Sequence, residues 1–160
     1  QCLDSTAVYS DKENQMNNVK IAVPNTIEEW NSRALDYLPG RLAFEVLKVE
    51  PDEVLGQLEI EKFHTAWHGF LHGGSVVTLA DTCCGYGAVR NLPEGANGFT
   101  TIDLTSSFVG TALKGKVLCS AKPSHLGRTT QLWDATVTAE DTGKVLAHFR
   151  CTQMVLWPRA

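Results

Sequence analysis

The sequence has no CxxC pair, no long basic run, no internal repeat and no low-complexity tract. Its five cysteines (Cys2, Cys83, Cys84, Cys119 and Cys151) are odd in number, which excludes a fully paired disulfide framework. They read as free thiols of a reducing cytoplasm. Every apolar stretch falls short of the roughly 18 residues that a membrane-crossing helix needs. Lys and Arg number 14 against 18 Asp and Glu, a net charge of −4, so the basic footprint of a nucleic-acid binder is missing. What remains is 160 residues, 43% hydrophobic and 20% charged, the composition of one domain able to bury a single core. Residues 1–24, polar and aperiodic over the first 18, read as a loose N-terminal arm or an expression remnant, and residues 25–160 as the domain.

Thr26-Ile27-Glu28-Glu29 fits a capping box, in which hydroxyl and carboxylate cover each other's free amides. Ile27, Trp30, Ala34 and Leu38 follow at helical spacing, with Pro39-Gly40 as the stop. A hairpin is predicted next, Leu42 to Val49 and Val54 to Ile60 joined by a Pro51-Asp52 turn. Ser75–Val89 is apolar nearly all round, the pattern of a helix buried on most sides. Phe99–Val109, Lys116–Ser124, Thr129–Ala139 and Lys144–Leu156 are rich in Val, Leu, Thr and aromatics and read as strands. One buried helix among five or six strands is covered most economically by a curved antiparallel sheet wrapped around it, an α+β domain.

Residues 64–74, HTAWHGFLHGG, place His64, His68 and His72 four apart. Only a helix would bring three such imidazoles to one face, and Gly69, Gly73 and Gly74 disfavour a helix there. No carboxylate or thiolate stands at zinc-like spacing, so no metal site is expected. His72-Gly73-Gly74 instead reads as the entry to the buried helix. The first amides of that helix lack intrahelical acceptors, and glycine lets a carbonyl oxygen approach them. That is oxyanion-hole geometry, although a plain tight turn into the helix fits the same spacing. Asp81 lies in the middle of this apolar helix, where an unpaired carboxylate is costly: it has either a buried partner or a cleft in which it is used.

His72-Gly73-Gly74, Leu79-Ala80-Asp81, Thr101-Ile-Asp-Leu-Thr-Ser-Ser-Phe108 and Leu126-Gly127-Arg128-Thr129 together resemble the hotdog-fold acyl-CoA thioesterases, specifically the phenylacetate-pathway (PaaI-like) group. The likeness runs from about residue 40 to 156, with matching element order. It implies a hotdog fold and hydrolysis of an acyl-CoA thioester, with coenzyme A arriving as part of the substrate and no separate cofactor. Gly73 would polarise the thioester carbonyl through its amide, and His72 would hold that loop. Asp81 would serve as general base or nucleophile and Thr101 would orient water. Arg128 and Thr129 would meet the nucleotide phosphates. Gly74, Trp67 and His68 are further candidates for bordering the substrate, with core packing as the alternative for Trp67. Two positions depart from the pattern: Ala66, where relatives often carry Asn or Gln, and Gly110-Thr111, where many carry Arg-Pro.

Gly73 and Asp81 are eight residues apart, roughly 12 Å along one helix. Reacting groups must come within about 3–3.5 Å. One helix cannot present both to one carbonyl, but two antiparallel helices about a two-fold axis can. A homodimer with shared sites is therefore expected, and the resemblance adds a dimer of dimers. A hotdog dehydratase or hydratase and a non-catalytic acyl-CoA binder remain as alternatives.

Overall fold

The computed structural model describes residues 20–158. Most of the expected N-terminal arm, residues 1–19 with Cys2, lies outside that range. Of its remainder, Ile21 donates its N–H to the Asn97 carbonyl at 2.8 Å and Pro24 is buried.

Helix α1, Ile27–Ala34, starts at Thr26, whose hydroxyl accepts from the Glu29 amide at 3.2 Å. The return half of the capping box is displaced by one residue: the Glu29 carboxylate accepts from the Asn25 N–H at 2.7 Å. The helix also ends earlier than its spacing predicts. Pro39-Gly40 is not its stop but lies inside a separate turn, α2 (Leu38–Arg41). Proline fits in a first helical turn because the N–H it lacks has no acceptor there. Asn31 fastens α1 to the sheet by donating to the Val46 carbonyl and accepting from the Val46 N–H.

The predicted hairpin forms as β1 (Glu45–Val49) and β2 (Val54–Glu59), paired antiparallel. The register slips at Leu47, so Val46 and Val49, three apart, both point inward. A 3₁₀ turn (Lys62–His64) leads into α3 (Gly73–Arg90), the central helix. Strands β3 (Gly98–Phe108), β4 (Lys116–Leu126), β5 (Thr130–Ala139) and β6 (Val145–Leu156) follow. All six strands pair antiparallel in the order β1-β2-β4-β5-β6-β3, which leaves β3 at an edge.

The sheet wraps α3, as the sequence requires. Leu79, Ala80, Cys83, Cys84 and Val89 pack in one core with Val54, Leu58, Val117, Trp133, Val137 and Phe149. Trp133 comes so close to the helix that a Cβ on Gly87 would lie 2.3 Å from its ring, so only glycine fits at that crossing. Cys83, Cys84, Cys119 and Cys151 are buried free thiols. The least covered stripe of α3 carries Gly74, Thr78, Asp81 and Thr82. Among the described residues, no helix is long and apolar enough to cross a membrane.

Candidate active site

The three histidines of the HTAWHGFLHGG stretch serve separate purposes. His64 is fully buried, accepts the Glu61 N–H at Nδ1 (2.9 Å) and reaches the Leu42 carbonyl through Nε2 (2.7 Å), bracing the loop from inside. His68 is exposed and stands between the rings of Trp67 and Phe70. His72 caps α3, its Nδ1 accepting the Gly74 N–H at 2.8 Å.

That cap sorts the amides at the helix entrance. Ser75 and Val76 donate to the His72 carbonyl and Gly74 donates to the His72 ring, so Gly74 has no amide left for a ligand. Gly73 finds no acceptor for its N–H among the described residues. An open donor at the positive end of a helix attracts a carbonyl oxygen or an anion. The ring of Phe108, from β3, lies against Gly73, 3.0 Å from where a Cβ would sit. An open trough of about 800 Å³ spreads from this point, lined by Trp67, His68, His72, Phe108 and Leu146. Trp67 is 98% exposed on its rim, so it is not a core residue. Ala66, half-buried, also borders the trough.

Further along α3, Asp81 is half-buried in the wall of a second cavity of about 350 Å³. Trp30, Tyr86, Val89 and Phe99 line it, with Arg33 and Tyr37 from the α1–α2 segment. Trp30 and Tyr86 meet at 4.8 Å between ring centroids, tilted by 36°, and join α1 to the central helix. No cation pairs with Asp81 among the described residues. Burial pushes its carboxyl above the ordinary range, and the Thr101 hydroxyl oxygen stands 3.5 Å from it. The chemistry open to such a group is proton abstraction or attack on an electrophile beside an apolar chamber.

The structure thus joins Asp81 to Thr101, and Gly73 to His72, Trp67 and His68, as two clusters on one helix. Arg128 and Thr129 belong to neither. They lie in the β4–β5 turn, at the end of the sheet where Gln131 reaches the carbonyl of Asn91, just past the C-terminus of α3. The Arg128 guanidinium rests over the Trp157 ring at 4.9 Å. Sequence reasoning missed Phe108 as the cover of Gly73 and the polar pair behind Asp81, Thr101 with the buried Gln153, whose Oγ1 and Oε1 are 2.8 Å apart. Strand parity offered a signal for the latter. Gln153 shares the inward phase of Phe149, Cys151 and Val155, where an amide has no reason to be unless it is used.

The thioesterase superfamily model matches residues 68–146. A 1,4-dihydroxy-2-naphthoyl-CoA hydrolase of Listeria monocytogenes is 31% identical over 116 residues, spanning 72% of this chain and 92% of its own length. The crystal structure of a Haemophilus influenzae thioesterase gives a TM-score of 0.78 at 25% identity, over 86% of this chain and 94% of that one. A Streptococcus mutans protein solved with acetyl CoA gives 0.65 at 25% identity, over 73% and 91%. Taken with the sheet-around-helix build, a 31%-identical hydrolase matched over nearly its whole length shows that the chain belongs to the thioesterase superfamily of hotdog-fold thioester hydrolases.

Proposed function

We propose that the protein hydrolyses acyl-CoA thioesters in a reducing compartment, as a member of the phenylacetate-pathway group, at sites shared between two subunits. The observation that carries this reading is Asp81, a carboxylate with no cation paired to it among the described residues, set in the wall of an apolar cavity. Coenzyme A enters as part of the substrate. The Streptococcus mutans neighbour, solved with acetyl CoA, and the Listeria hydrolase of a naphthoyl-CoA both support that substrate class.

In this reading the acyl group occupies the cavity between Trp30, Tyr86 and Phe99, which suits an apolar or aromatic acyl group. The thioester carbonyl meets the Gly73 N–H of the partner subunit, which takes up the developing oxyanion charge. Ionised Asp81 withdraws a proton from a water held by Thr101, and the water attacks the carbonyl. The tetrahedral intermediate collapses, the C–S bond breaks, and coenzyme A leaves as the thiol after taking the proton that Asp81 received from the water, which returns Asp81 to its ionised form. His72 keeps the oxyanion donor in place by capping the helix. Trp67 and His68 flank the pantetheine arm in the trough, and Arg128 and Thr129 meet the nucleotide phosphates.

A shared site requires two copies. The sheet ends on β3, an 11-residue edge strand whose Ile102, Leu104 and Phe108 are exposed, with Val109 just beyond it. A long apolar edge of this kind pairs with another chain unless it is protected, and a two-fold axis beside β3 would set two central helices side by side. Such dimers pair again into a tetramer in our reading.

Thiol release from a panel of aromatic, short and medium-chain acyl-CoAs tests the activity. Turnover with none of them would overturn it. Single-turnover hydrolysis in ¹⁸O-water tests the role of Asp81: label in its carboxylate would replace the base with a nucleophile.

A further inference from the structure

The register of the sheet places Thr101 of β3, Gln153 of β6 and Gln131 of β5 side by side beneath the central helix. The two glutamines are 0% and 1% exposed. A buried amide left unpaired would cost about 1–3 kcal/mol, so their partners matter. Gln131 has a structural pair: it donates to the Asn91 carbonyl at 2.9 Å and accepts from the Trp133 indole at 3.1 Å. Gln153 faces the site. Its Oε1 lies 2.8 Å from Thr101 Oγ1 and its Nε2 donates to Cys151 Sγ at 3.3 Å. The Cys151 sulfur accepts that N–H beside Cys84 on the central helix. The hydrogen bond between the two thiols, and then burial, hold Cys84 well above the usual thiol range.

A threonine hydroxyl has one proton and two lone pairs. Gln153 Oε1 is within ordinary O–H···O range, whereas Asp81 Oδ1, at 3.5 Å, lies beyond it. The proton therefore goes to Gln153. We propose that Gln153 is a positioning residue, which takes the single proton of Thr101 and so leaves Thr101 Oγ1 as a hydrogen-bond acceptor beside Asp81 Oδ1. Two acceptors side by side take the protons of one water through bent hydrogen bonds and turn its lone pairs outward, toward the thioester carbon. A Thr101 that donated to Asp81 would instead occupy a lone pair of the base and lower its proton affinity. The inference rests on Asp81 as the base, and it adds the group that fixes which way the neighbouring hydroxyl points.

Two measurements on the full chain test it. In wild-type protein labelled with ¹⁵N-glutamine, the side-chain amide protons of Gln153 should show their strongest NOEs to the β-protons of Cys151. Strongest NOEs to Thr101 would reverse the amide and overturn the proposal. In kinetics, Gln153→Met should lower kcat about tenfold with little change in KM. It should also move the acid limb of kcat/KM to lower pH, since the released hydroxyl now donates to the Asp81 carboxylate. Arg33, Tyr37 and Tyr86, the other titratable groups on that cavity among the described residues, are unchanged throughout. In a Thr101→Val background the same substitution should add neither loss nor shift. Equal losses in both backgrounds would make Gln153 a packing residue and end the proposal. Should Gln153→Met fail to fold, the wild-type NOEs decide. A wild type without thiol release would count against the hydrolase reading, while the NOEs still report on Gln153.

Discussion

Gly74 donates its backbone N–H to the ring of His72 at 2.8 Å, and the amide of Gly73 is thereby left, among the described residues, as the open donor at the start of the central helix. Proline is tolerated at a first helical position, and the extended His72 backbone (φ −73°, ψ 135°) suits a residue before proline. Gly73→Pro therefore deletes the donor while keeping the helix. Thiol release should fall by about 10²–10³-fold in kcat. Circular dichroism should stay close to wild type, with the mobile end of Phe108 moving aside.

Asp81→Asn should remove most turnover, a loss on the order of 10²–10⁴-fold for a general base. It should also raise the thermal midpoint at pH 7. The folded protein holds this carboxyl above its ordinary value of 3.8, so the native state binds the proton more tightly than the unfolded chain. Wild-type stability therefore declines as pH rises from 3.8 through the folded value, a decline the neutral amide escapes. Melting curves of both proteins should converge below pH 3.8.

Mixing the two variants tests whether sites are shared. After random exchange, half of the dimers are mixed, and each mixed dimer contains one site with an intact Gly73 and an intact Asp81. Recovery of about a quarter of wild-type turnover is expected. No recovery after exchange verified by mass would remove the shared site.

Gly87→Ala measures how tightly the sheet is drawn onto the helix. The new methyl would lie 2.3 Å from the buried Trp133 ring, which also donates to Gln131 and cannot swing aside. A loss of about 1–3 kcal/mol in urea unfolding is expected, without a change in KM.

Much of this architecture was legible in the sequence because it is locally determined. The β-branched runs became β3 to β6 within a residue or two, and the all-round apolar run became α3. The Pro39-Gly40 stop misled, since proline is as welcome at a helix start as it is unwelcome inside one. His64 could not be recognised as a brace, because its partner, the Leu42 carbonyl, is 22 residues away. Asp81 was conspicuous as a charge in an apolar helix. Gln153 was not, because an amide in a strand attracts notice only once the register sets it opposite Thr101.

The register of β3 slips once, at Ile102, between Thr101 and Asp103. Phe99 and Thr101 look inward before the slip, and Ser106 and Phe108 after it, positions that a regular two-residue alternation would not align. One strand thereby works like a shaft with an offset key: its first half is timed to the carboxylate and its second to the helix mouth. Excising Ile102 would leave the ribbon intact but throw the two halves out of phase, turning one set of side chains toward the outside.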